Sequence, residues 1–131
     1  MKRLIRKAEY EYMNVIQKAI KMPGVKEHIL DAAKDFAEEQ FEWDIENPIS
    51  ASECLEKFHL SLSENPDYTV EYLDSTILDA FESDDYDTNV EIMNTKDFEI
   101  RFVEELFDAY VSEIEDVIDE VEEEVNERFG R

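Results

Sequence analysis

Toward the end of the chain Val103, Leu106, Phe107, Tyr110, Ile114, Val117, Val121 and Val125 recur at steps of three and four. That spacing places them on one face of an α-helix and on no face of a strand. Asn94-Thr95-Lys96-Asp97 can cap the helix at its start, and Gly130 ends it after Phe129. Around the stripe stand twelve carboxylates with no base between them: Glu104, Glu105, Asp108, Glu113, Glu115, Asp116, Asp119, Glu120, Glu122, Glu123, Glu124 and Glu127. At a rise of about 1.5 Å per residue they lie roughly 3 Å apart along the axis, close to the spacing of about 3.4 Å between phosphates along one DNA strand. Like charges three and four apart weaken a helix by a few tenths of a kcal/mol per pair, so this one must depend on burying its apolar stripe.

The same period runs through most of the chain. Leu4, Ala8, Tyr12, Val15 and Ala19 predict a first helix from Lys2 to Lys21, broken by Met22-Pro23-Gly24. Val25, Ile29, Ala32 or Ala33, Phe36 and Trp43 mark a second helix to about Asp44, stopped by Asn47-Pro48. Ser50-Ala51-Ser52-Glu53 has capping-box form and opens a third, through about Ser63, burying Leu55, Phe58 and Leu62. Asn65-Pro66 suits a fourth helix start, with Val70, Leu73, Ile77 and Phe81 on one face. From Ser83 the period fails, which predicts an acidic surface loop over Asp84-Asp85-Tyr86-Asp87-Thr88-Asn89 and a short extended piece at Val90 to Met93. The expected fold is therefore all-α, one domain of 131 residues, a bundle of about five helices closing on the long acidic one.

Charge decides which functions such a bundle can serve. Asp and Glu number 36 against 13 Lys and Arg, a net charge of −23, where a magnitude of about 2–8 keeps a small domain dispersed. Leu, Ile, Val and Phe still make up about 27% of the chain, enough for a folded core. The charge is polarised: residues 1–34 carry eight bases and four acids, and the remainder five bases and 32 acids. Direct binding of nucleic acid is excluded by repulsion of phosphates, so the expected partner is a basic protein. Lys2, Arg3, Arg6 and Lys7 suit a place beside the acidic helices of the same chain or of a second copy. Arg6, Lys7, Glu9 and Glu11 interrupt the apolar run a secretory signal needs, and no stretch reaches the roughly 18 apolar residues of a membrane span. Cys54 has no thiol partner for a disulfide or a metal, which fits a reducing cytoplasm.

Sites for chemistry are hard to assemble. Asp85, Asp87, Asn89 and Ile92 fit positions 1, 3, 5 and 8 of a calcium loop, but Val90 stands where glycine must turn and Lys96 where a bidentate Glu must bind. Glu56 and His59 have di-iron spacing without the second pair such a site needs, and His28 has no ligand spacing, which leaves both histidines as surface or partly buried polar groups. No phosphate loop, nucleophile elbow or cysteine–histidine motif is present, so neither enzyme nor cofactor is expected. Most aromatics, Tyr10, Tyr12, Phe36, Phe41, Trp43, Phe58, Phe81, Phe102, Phe107 and Tyr110, fall on apolar faces. Tyr86, within Asp84, Asp85 and Asp87, is the exposed anchor expected of an interface.

A helical chain of this length with this charge, closing on a Glu/Asp-rich helix after Thr95-Lys96-Asp97, resembles the acidic DNA-mimic anti-restriction proteins of bacteriophages, the Ocr type. The resemblance implies a dimeric or elongated protein that occupies the DNA groove of a host defence enzyme, a restriction, phage-exclusion or CRISPR component, in the host cytoplasm. The basic first helix and the Gly130-Arg131 end depart from that type. On charge alone the expected function is inhibition of a nucleic-acid-binding enzyme through its basic cleft. The alternatives are an immunity protein or antitoxin against a basic toxin, and an acidic adaptor for basic proteins.

Overall fold

A computed structural model describes residues 13–43 and 49–130, and these are all-helical, with no strand among them. Helix α1 covers 13–20, α2 Val25–Trp43, α3 Ala51–Glu64, α4 Pro66–Tyr72, α5 Asp74–Ala80, α6 Tyr86–Met93 and α7 Lys96–Arg128. The earlier part of the expected first helix, with Lys2, Arg3, Arg6, Lys7, Tyr10 and Tyr12, lies outside the described residues, as does Asp44, the expected end of the second. Among the described residues no helix is long and apolar enough to cross a membrane.

Local chemistry sets most of the boundaries. Between α1 and α2 the chain turns through Gly24 at φ +90°, a left-handed conformation costly to a side chain. Ser50 accepts from the Glu53 N–H at 3.1 Å and caps α3, and Thr95 accepts from Phe98 at 3.3 Å and caps α7. Gly130, at φ +70°, closes α7 after Phe129. Pro66 occupies the first turn of α4, but the Asn65 side chain makes no capping bond there; instead the Asn65 backbone N–H donates to the Ser61 carbonyl and finishes α3.

Two expectations change. The predicted fourth helix is two, because the backbone at Leu73 relaxes to φ −100°, ψ 15°, while its apolar face stays buried at Val70, Leu73 and Ile77, with Phe81 half-buried. The acidic stretch is only partly a loop. Asp85 accepts from both the N–H and the hydroxyl of Thr88, at 3.2 and 2.8 Å, so a helix starts at Tyr86 and Val90 to Met93 is helical rather than extended. The same capping places Asp87 and Asn89 in a helical turn, and Asn89 is buried and spends its amide on the Ser83 carbonyl.

The buried residues form one cluster centred on α7, against which α2, α3, α4 and α6 all pack. Three bonds define the alignment of the first two helices with it: Arg101 to Met13, Tyr110 to Ile20 and Arg128 to Glu42, separated in sequence by 88, 90 and 86 residues. A nearly constant offset means that α1 and α2 run end to end, parallel to α7. Their break at 21–24 falls beside Tyr110, where α7 leaves helical geometry (φ −121°, ψ 17°). The Tyr110 hydroxyl donates to the Ile20 carbonyl, one of the acceptors that the end of α1 leaves unsatisfied. α3 runs the opposite way: Ser52 and Leu55 flank Glu115 and Asp119, and further on His59 and Ser63 reach Glu104.

Candidate functional site

Tyr110 divides the twelve carboxylates of α7 into two environments. On its N-terminal side Glu104 is tied down: it accepts from Ser63 Oγ at 2.7 Å and pairs with His59 Nε2 at 2.8 Å, while the imidazole stacks on Phe107 with ring centres 4.1 Å apart. Partial burial alone would raise this carboxyl, but the Ser63 and His59 bonds and the imidazole charge outweigh it and hold Glu104 below the usual range. The order is Ser–Glu–His, with the carboxylate in the middle. A serine nucleophile needs the imidazole beside its hydroxyl, so this cluster is a structural clasp between α3 and α7. Glu105 is half-buried and Asp108 exposed.

Beyond Tyr110 nine carboxylates occupy the fifteen positions from Glu113 to Glu127. The buried stripe of Ile114, Ile118, Val121 and Val125 turns them to the other side. Glu115, Asp116, Asp119, Glu120, Glu123, Glu124 and Glu127 are exposed, and Glu113 and Glu122 half-buried. Asp116, Glu120 and Glu124 form one row and Glu115, Asp119, Glu123 and Glu127 another, with steps of about 6 Å along the axis. Nine charges over about 21 Å is one per ~2.3 Å, between the values for one strand of DNA and for the duplex, about 3.4 and 1.7 Å.

Internal neutralisation is slight. Among the described residues only Glu104 and Glu113 of the twelve carboxylates have an ion-pair partner, Glu113 meeting Lys26 at 3.9 Å with both side chains near half exposure. Lys34 shares a groove with Glu120 and Glu124 but pairs with neither. The capped N-terminus of α3 lies over Glu115 and Asp119, and its dipole offsets part of their repulsion. Because α2 and α7 are parallel, both present their negative dipole ends at the same end of the molecule, together with Glu38, Glu39, Glu42, Glu123, Glu124 and Glu127. In their last turns the one base is Arg128, which bonds Glu42 at 2.7 Å.

The second acidic group is elsewhere. Asp84, Asp85, Tyr86 and Asp87 are exposed, as expected, but they lie beside α5, and Phe81 just before them stacks near Phe98 in the first turn of α7. They sit at the far end of α7 from Glu113–Glu127 and form a second, separate acidic surface. The Thr88 bonds hold Asp85 below its ordinary value. Trp43, expected to mark the apolar face of α2, is 88% exposed instead. The stripe of α2 runs Val25, Ile29, Ala33, Ala37, Phe41, and position 43 falls about 200° round from Phe41. That signal was available in the spacing.

Cys54 is sealed under α7, where burial, reinforced by Glu122 and opposed by Lys57, pushes its thiol up to about 11. Among the described residues no three His, Cys, Asp or Glu side chains converge to hold a metal ion. No protein-family model, curated protein or solved structure matches the chain.

Proposed function

We propose that this protein is a competitor for the basic cleft of a DNA- or RNA-binding enzyme, a host defence enzyme in the reading that its resemblance to phage DNA mimics suggests. The observation that carries this reading is the outer face of α7 from Glu113 to Glu127: nine carboxylates at nucleic-acid charge density, of which one has an ion-pair partner among the described residues. Helix rigidity fixes the backbone that carries these charges before contact, so only the cost of side-chain ordering falls on the binding step. The uncompensated field raises the encounter rate with a cationic groove and makes it fall with salt.

The test is competition. A nucleic-acid-binding enzyme captured from a host lysate at physiological salt should release its DNA or RNA as this protein is added, and affinity should fall in steps as Asp116, Glu120, Glu123 and Glu127 are neutralised in turn. Simultaneous binding of the protein and the nucleic acid to the target sinks the proposal. The exposed Trp43 and Tyr86 favour a second reading, an immunity protein or antitoxin against one basic toxin. There, one or two aromatic substitutions should abolish binding while single carboxylate changes do little.

A further inference from the structure

We infer that the end where α2 and α7 stop together is an aromatic-anchored docking surface for an arginine-rich segment of the partner, with Trp43 at its centre; the inference rests on the basic-partner reading above. The core does not use this indole. The apolar face of α2 is complete at Phe41, and the only Trp of the chain stands in water beyond it. Tryptophan is among the residues enriched at the strongest contacts of protein interfaces, and its π face attracts cations.

The surroundings select the cation. Next to Trp43, the Arg128 guanidinium already lies between a carboxylate and a ring, bonding Glu42 at 2.7 Å with its carbon 6.0 Å from the centre of Phe129. A planar guanidinium can stack and pair at once, whereas an ammonium is a hydrated point charge. An incoming arginine finds the same two elements in Trp43 and the exposed carboxylate of Glu39, one turn before it on the same face of α2, with the helix dipoles adding to the field. A second copy of this chain is a poor occupant, since it would bring another net −23 to the same place.

The probe is a ten-residue arginine peptide, titrated against the full chain beside a ten-residue lysine peptide at low and physiological salt, with titration calorimetry giving the affinities of every variant and Trp43 emission read in the wild type. The expected result is tighter binding of the arginine peptide, an altered Trp43 emission, and a loss of about three- to tenfold in its affinity on Trp43→Ala. Trp43→Phe should retain most of the affinity, and Tyr68→Ala, an exposed aromatic on α4, should retain all of it. Salt-sensitive binding of both peptides with unmoved emission and no effect of Trp43→Ala overturns this inference and leaves the basic-partner reading standing. Failure of both peptides to bind at low salt overturns that reading too. Emission that changes with protein concentration alone would show a second copy covering the indole, and would also overturn the inference.

Discussion

The two halves of α7 on either side of Tyr110 belong to one helix, yet they differ in burial and in charge: three of the twelve carboxylates precede Tyr110 and nine follow it. The first half buries Phe98, Phe102 and Phe107 with Val103 and Leu106, is covered by α3, α4 and α6, and binds its carboxylate Glu104 to Ser63 and His59. The second buries only Ile114, Ile118, Val121 and Val125, rests on α2 and the start of α3, and leaves most of its charge to water. One half anchors, and the other presents. The lesson is that an acidic helix can be tolerated when its folding free energy is concentrated away from its charge.

The largest effect that would break this comparison comes from the core. Leu106→Ala, under α3, α4 and α6, should cost about 4–5 kcal/mol in urea unfolding, and Ile118→Ala, with fewer helices around it, about 2–3, because a site with fewer neighbours collapses more readily around the lost volume. Equal losses would mean that the second half is as firmly built as the first.

Removal of carboxylate charge should act with opposite sign in the two halves. Glu104→Gln weakens the clasp between α3 and α7 and should destabilise by about 1 kcal/mol, a figure already reduced for the exposure of the pair. Neutralising Asp116, Glu120, Glu123 and Glu127 together should raise the melting temperature by a few degrees at low salt and by less at 0.15 M, where repulsion is screened over about 8 Å. The wild type should itself melt higher at moderate salt than at low salt.

How much of this was legible in the sequence follows from the range of the forces involved. The caps at Ser50 and Thr95, the break at Gly24 and the stop at Gly130 depend on a few adjacent residues and could be read directly. The capping of Tyr86–Met93 by Asp85 was equally local, but the density of Asp disguised it as a loop. The break at Leu73 and the departure at Tyr110 depend on which helix lies opposite, which no local pattern states, whereas the exposure of Trp43 was written in the four-residue spacing of the α2 stripe. The carboxylates of α7 were legible as a run. Their division into tethered and free groups, and the remoteness of Asp84–Asp87, needed the parallel alignment of α1 and α2 with α7.

Smaller effects sharpen the boundary between the halves. Tyr110→Phe removes the hydroxyl that satisfies the Ile20 carbonyl and should cost about 0.5–1.5 kcal/mol by thermal or urea unfolding, with faster amide exchange at the junction of α1 and α2. His28, stacked on Tyr72 at 4.3 Å, is held below its ordinary 6.5 by burial, against an opposing pull from Asp31. The unfolded chain therefore takes up a proton that the folded one resists. Stability should decline as pH falls through about 6.5, until the folded imidazole protonates as well. His28→Gln should narrow the difference in melting temperature between pH 7.5 and pH 5.5.

The burial of Cys54 gives the molecule a built-in clock. Its sulfur, closed off from solvent and resistant to ionisation, is inert to alkylating reagents for as long as α3 and α7 remain joined. Modification of that atom then counts separations of the two helices, one molecule at a time. A cysteine engineered anywhere on the outside can carry a dye without competition from the native one.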